Sequence, residues 1–180
     1  QRGDPADEIV APGEHRDSTL EGRAVVHAYD LPMSTVSVVT GANSGIGRAT
    51  ALHLAAQGHE VYGSVRNLDS ATKLRAMAAE ADVEVNLFVM DVASDESVQI
   101  GMGQVLERTG KVDVLVNNAG VGGTAVLEEC PVSLYQDVFN VNVCGAVRCS
   151  QAVLPGMRER GSGVIVNVTS VTGKIAALAQ

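Results

Sequence analysis

The sequence predicts an α/β fold: a doubly wound parallel sheet with helices on both faces, five of whose strands fall within the 180 residues. Short runs of β-branched residues alternate with segments of helical period from Val36 to Thr169. The helical segments fill the connections, and strands joined through helices lie parallel, because a parallel neighbour is reached only by a right-handed crossover. The first strand also runs directly into a glycine-punctuated turn and then into a helix, a sequence of events found where such a sheet binds a ligand at the carboxyl ends of its strands.

Each element follows from its residues. Val36-Ser37-Val38-Val39-Thr40 forms the first strand, and Gly47 to Gln57 sets Ala49, Leu52, Ala55 and Ala56 at helical spacing, with Gly58 where a helix ends. Glu60 to Val65 is the second strand. Asp69 or Ser70 is expected to cap a helix carrying Lys73, Leu74 and Met77, and Glu84 to Met90 is the third strand. A helix over Ser94 to Thr109 precedes the fourth strand, Val112 to Asn117. Ser133-Leu134-Tyr135-Gln136 has the form of a capping box opening a long helix toward Arg160, with Leu134, Val138, Val141, Gly145 and Cys149 on one face. Gly163 to Thr169 is the fifth strand.

Composition bounds the rest. At 46% hydrophobic and 19% charged, the chain can bury one sizeable core. Residues 33–180 are expected to form that domain. Residues 1–32, acidic and without apolar periodicity, are expected to be a disordered extension, and Met33 stands where a natural start would fall. No apolar run reaches the roughly 20 residues of a membrane span and no secretory signal is visible, so a cytoplasmic protein is expected. The net charge is −8 with scattered bases, which argues against nucleic acid as a partner. Cys130, Cys144 and Cys149 are odd in number and lack metal-like spacing, so free thiols are expected, with no disulfide framework and no metal.

The turn Thr40-Gly41-Ala42-Asn43-Ser44-Gly45-Ile46-Gly47 carries the chemistry. Gly41 suits a tight turn, Gly45 a close approach of backbone to a pyrophosphate, and Gly47 close packing of helix on sheet. The phosphates of a dinucleotide would meet the unpaired N–H groups at the positive end of the helix. About 20 residues on, an acid would select the ribose 2′-hydroxyl of NAD, whereas a base suits the 2′-phosphate of NADP. Val65 and then Arg66 stand there, so NADP is expected over NAD.

Together with Asn117-Asn118-Ala119-Gly120 at the end of the fourth strand, the glycine turn resembles that of the short-chain dehydrogenase/reductase family, in its NADP-preferring branch. The resemblance covers about Val36 to Gly173. It implies a Rossmann-type fold, incomplete at the C-terminus of this chain, in which Gly41, Ser44, Gly45, Ile46, Gly47, Arg66, Asp91, Val92, Asn118, Ala119 and Gly120 hold the cofactor. It implies a hydride exchange with a carbonyl or alcohol substrate that uses Asn, Ser, Tyr and Lys. Asn142, in Asn142-Val143-Cys144-Gly145, matches the first and Ser170, in Thr169-Ser170-Val171-Thr172-Gly173, the second. The Tyr-x-x-x-Lys pair has no match; family spacing sets it at about 183 and 187, so the 180 residues alone are expected to be inactive. The resemblance of Val65-Arg66-Asn67-Leu68 and of Gly145 to Gly163 to steroid- and retinol-active members suggests an apolar substrate, and relatives form dimers or tetramers. A catalytically inert dinucleotide-binding protein or sensor is the alternative reading.

Overall fold

A computed structural model of the chain describes residues 34–122, 126 and 128–170. The expectations for residues 1–33, and for Val171 to Gly173 of the serine motif, lie outside the described residues. Five strands, β1 (Val36–Val39), β2 (Glu60–Val65), β3 (Val85–Val89), β4 (Val114–Asn117) and β5 (Val164–Asn167), form one sheet. Its order is β3-β2-β1-β4-β5 and every pairing is parallel. Chain order reverses between β1 and β4. The carboxyl ends of strands on either side of such a reversal open a crevice, and both glycine-bearing motifs end there.

The helices are α1 (Gly45–Ala56), α2 (Thr72–Glu80), α3 (Asp95–Thr109), α4 (Val132–Phe139) and α5 (Gly145–Arg160). Side chains alternate across a strand, so the two faces of β1 feed two cores. Val36 and Val38 join Leu115, Met102, Val105, Cys149 and Val153 under α3 and α5. Val39 joins Ala42, Ala51, Leu74 and Val116 under α1 and α2. All four residues of β1 are buried, as expected for a central parallel strand covered on both sides.

The structure corrects three local expectations. The helix expected from Ser133 begins at Val132 after Pro131, with no side-chain cap, so the Ser133–Gln136 box is not formed. Neither Asp69 nor Ser70 caps α2. Asn67 accepts the Asp69 N–H at 2.8 Å and caps a 3-10 turn, Leu68–Ala71, that leads into α2. The expected long helix toward Arg160 is α4 and α5 joined by a π-helical turn, Asn140–Cys144. Of the residues expected to share one face, Gly145 and Cys149 are buried, and Leu134, Val138 and Val141 are half-buried. Burial pushes the Cys149 thiol up to about 11, which keeps it protonated and makes it a core residue.

Candidate cofactor and active site

Thr40 is the joint of the site. Fully buried at the end of β1, it receives the Asn118 and Ala119 N–H groups on Oγ1, each at 2.9 Å. Its hydroxyl in turn faces Val116 O at 3.3 Å. The Asn118 amide returns the bond, donating to Thr40 O at 2.9 Å and Gly41 O at 3.3 Å. Two motifs far apart in sequence are thereby one object: the Asn-Asn-Ala-Gly segment is a clamp on the glycine turn.

The turn is as tight as its glycines suggest. Gly41 has φ +67°, and a Cβ there would lie 2.9 Å from Ala119 Cα. A Cβ on Gly47 would strike Asn118 Nδ2 and Gly41 O, so a side chain at either position drives the clamp apart. Ser64 of β2 fastens the turn from the other side, with Gly41 N–H donating to its Oγ at 3.3 Å and Ala42 N–H to its carbonyl at 3.0 Å.

α1 begins without a lid. Its N-cap, Ser44, makes no side-chain cap bond, and no acid stands in the first turn. The leading N–H groups of a helix have no partner within it, so this end favours an anion. The cleft of about 530 Å³ in front of it is lined by Gly41, Asn43, Ser44, Arg66, Asp91 and Val92, with Ala119 and Gly120 on the far wall. Among the described residues Asn43 Oδ1 is buried without a partner, and its Nδ2 donates to Ser70 Oγ at 3.1 Å. Arg66 is exposed directly after β2, whose last residue, Val65, is apolar. Asp91 lies in the loop after β3, which is prearranged: Oδ1 accepts Ala93 N–H at 3.0 Å, and its own N–H donates to Ser97 Oγ at 2.9 Å.

A second cleft, of about 750 Å³, meets the first along Val92, Ala119 and Gly120 and contains both Asn142 and Ser170. Asn142 sits in the π-helical turn, a rare form concentrated at functional sites. Its carboxamide pairs with one backbone unit, accepting Val121 N–H at 2.8 Å and donating to Val121 O at 2.9 Å. That leaves one amide proton and one lone pair for a further partner. Asn117 points into the floor of this cleft, donating to Asn167 Oδ1 at 2.9 Å and Ser150 Oγ at 3.2 Å.

Of the site residues named from sequence, Gly41, Ser44, Arg66, Asp91, Val92, Ala119 and Gly120 line the first cleft, and Asn142 and Ser170 the second. Gly45, Ile46, Gly47 and Asn118 are not on the first cleft's wall. Gly47 holds the turn from behind, Asn118 clamps it and lines the second cleft, Gly45 stands in open space at φ +52°, and Ile46 is exposed. Sequence reasoning gives Thr40, Asn43 and Asn117 a place in the two motifs but no role of their own, and it does not single out Ser64. A polar residue inside an otherwise apolar strand was the available signal at Ser64 and Asn117.

Comparison with known proteins shows the family. A sequence model described as short chain dehydrogenase matches residues 35–180. The chain belongs to the short chain dehydrogenase family. A ketoacyl reductase ascribed to the monensin polyketide synthase of Streptomyces virginiae is 42% identical over 144 residues, covering 78% of this chain and 55% of the relative. Human retinol dehydrogenase 8 is 41% identical over 140 residues, 76% of this chain and 44% of that protein. The chain thus spans about half the length of the curated relatives it matches. A crystal structure of an actinorhodin polyketide ketoreductase variant with NADPH superposes with a TM-score of 0.76 at 38% identity, over 81% of this chain and 57% of that one. Among the described residues no helix is long and apolar enough to cross a membrane.

Proposed function

We propose that the protein is an NADP(H)-dependent oxidoreductase that interconverts a carbonyl and an alcohol, with an apolar small molecule as substrate. The observation that carries the reading is the uncapped, acid-free start of α1 facing a cleft whose other end presents Arg66. NADP fits what is there. Its pyrophosphate meets the free N–H groups of α1, and the unpaired Asn43 Oδ1 suits a ribose hydroxyl. Asp91 and Val92 take the adenine. Arg66 takes the 2′-phosphate through charge-assisted bonds, where Val65 offers no carboxylate to repel it. Bound there, the nicotinamide supplies the hydride.

The chain's own residues would serve the oxygen of the substrate. Ser170 hydrogen-bonds it as charge develops, and the Asn142 carboxamide, with one proton and one lone pair to spare, holds a water in the proton path. The NADPH in the actinorhodin ketoreductase structure and the reductases and dehydrogenase among the relatives support this reading. A second copy of the chain is the proposed partner: Val132, Tyr135, Phe139, Val143 and Val147 are exposed at helical spacing along α4, the π-helical turn and α5.

Titration of the full-length protein with NADPH and NADH tests the proposal. NADPH binds more tightly, and Arg66→Asp removes most of the difference, a loss of roughly 1.5 to 3 kcal/mol for a charge-assisted bond. Unchanged discrimination in Arg66→Asp would refute the assignment of the 2′-phosphate. Tight NADPH binding without turnover on any ketone would favour an inert dinucleotide sensor.

A further inference from the structure

One side chain joins the loop after β3, the start of α3 and the π-helical turn. Arg148 of α5 donates from Nε to Asp95 Oδ1 at 2.6 Å, and from NH1 to the carbonyls of Val92 at 3.2 Å and Asn140 at 3.3 Å. The Arg148 side chain is 18% exposed and that of Asp95 87% exposed. An ion pair with one partner so wet adds little to stability, so the direction of the three bonds is the informative feature.

The π-helical turn depends on contacts outside the helix. Its pairing reaches one residue further than in an α-helix, with Gly145 N–H bonded to Asn140 O, and such turns persist where surrounding structure holds them. Three contacts hold this one to the loop after β3. Asn140 Nδ2 donates to Ala93 O at 3.2 Å. Gly145 lies so close to Val92 that a Cβ would come within 2.9 Å of its Cγ2. Arg148 closes over both by binding Val92 O and Asn140 O with one nitrogen. The opposite side of the same turn carries Asn142 and its paired bonds to Val121. The turn is a bridge, with the Asp91–Ala93 loop at one end and the backbone beyond β4 at the other.

We propose that Arg148 is a positioning residue: it seats the π-helical turn on the loop after β3 and thereby sets where the Asn142 carboxamide meets Val121. What the two ends hold, adenine and the reacting groups, rests on the dinucleotide reading above; the mechanical link rests on the bonds themselves. A guanidinium suits the task because its nitrogens diverge in a fixed plane, serving a carboxylate on one side and two carbonyls on the other. A lysine ammonium is a single point donor.

The test compares wild type, Arg148→Leu and Arg148→Lys in the full-length protein by hydrogen exchange without nucleotide. In Arg148→Leu the Val121 amide, which donates to Asn142, exchanges about tenfold faster or more, while the amides of β1 keep their protection, as expected for a local opening. Arg148→Lys falls between. Unchanged Val121 exchange in Arg148→Leu, or equal loss of protection across the sheet, would overturn the proposal. Neither outcome depends on nucleotide, so failure of the dinucleotide reading shows separately, as wild type that does not bind NADPH. Once turnover is measured, Arg148→Leu lowers kcat about tenfold and leaves KM for NADPH within about twofold, because Asp91 keeps its own bonds to Ala93 and Ser97. The reverse split, KM raised with kcat intact, would refute it.

Discussion

The starts of α1 and α3 are built on opposite plans. α3 is closed by the protein itself: Ser94 Oγ accepts the Ser97 N–H at 3.2 Å, and Asp95 and Glu96 place two acids in the first turn. α1 has a serine at the same position, Ser44, that makes no cap bond, and its first turn is Gly-Ile-Gly with no acid. Both helices follow a strand of one sheet and both end the crossing of a loop, so architecture does not explain the difference. An N-terminus filled by its own side chains contributes to stability, whereas one left open forgoes roughly 1 kcal/mol and gains affinity for an anion. The contrast is the one that the proposed phosphate site at α1 requires.

The largest expected effect breaks the open end outright. Gly47→Val places carbon where Asn118 Nδ2 and Gly41 O now stand, and separating them undoes the Asn118 bonds to Thr40 and Gly41. Overpacking at such a contact costs about 1 to 3 kcal/mol. Urea melts should show that loss, and NADPH binding should disappear. Binding that survives in Gly47→Val would mean the phosphates do not rest on this turn.

Ser44→Asp turns the open plan into the closed one. A carboxylate at the N-cap should stabilise α1 by about 0.5 to 1 kcal/mol and repel the pyrophosphate. The expected outcome is opposite signs, with a higher melting temperature and NADPH affinity lowered by about tenfold. Both quantities moving together would show that the end of α1 holds no anion. At α3 the same logic gives a stability effect alone. Ser94→Ala removes a cap in use and should cost about 1 kcal/mol while NADPH affinity changes less than about twofold.

How far the sequence carried the reading follows the same division between local and distant causes. Every strand was visible from Val36 to Thr169, and so were the helical segments between them apart from the break between α4 and α5, because period and punctuation are local properties. The order β3-β2-β1-β4-β5 was not, since chain order alone does not say on which side of β1 the fourth strand pairs. Nor was the clamp. Thr40 binds Asn118 and Ala119 from 78 and 79 residues away, and a single hydroxyl bonding to backbone leaves no pattern in sequence. The π-helical turn escaped for a related reason: Asn140 and Arg148 keep helical spacing, and only their bonds to Ala93 and Val92 show that the turn is docked from outside. The capping predictions erred where two sequence signals compete, as at Asn67 against Asp69 and Ser70.

The far end of β1 offers the smallest test of the contrast, because there a backbone N–H that starts a strand is closed by an acid. Val36 N–H donates to Asp113 Oδ2 at 2.9 Å, and Lys111 Nζ lies 2.8 Å from the same oxygen. Burial of Asp113 pushes its carboxyl upward, but the bonds from Lys111 and Val36 outweigh that and hold it below its ordinary value. A carboxyl lowered on folding stabilises fully above its unfolded pKa, near 3.9, and the contribution is lost as pH falls through the folded value. Because the pair is partly solvated, the effect should be only about 0.5 kcal/mol. Asp113→Asn keeps an acceptor for Val36 but has no proton to take up, so its stability should fall less steeply than that of wild type below about pH 4. Equal acid limbs for the two proteins in urea melts across pH 2 to 5 would mean that Asp113 gains nothing from closing this end, and that the contrast with α1 is one of geometry without charge.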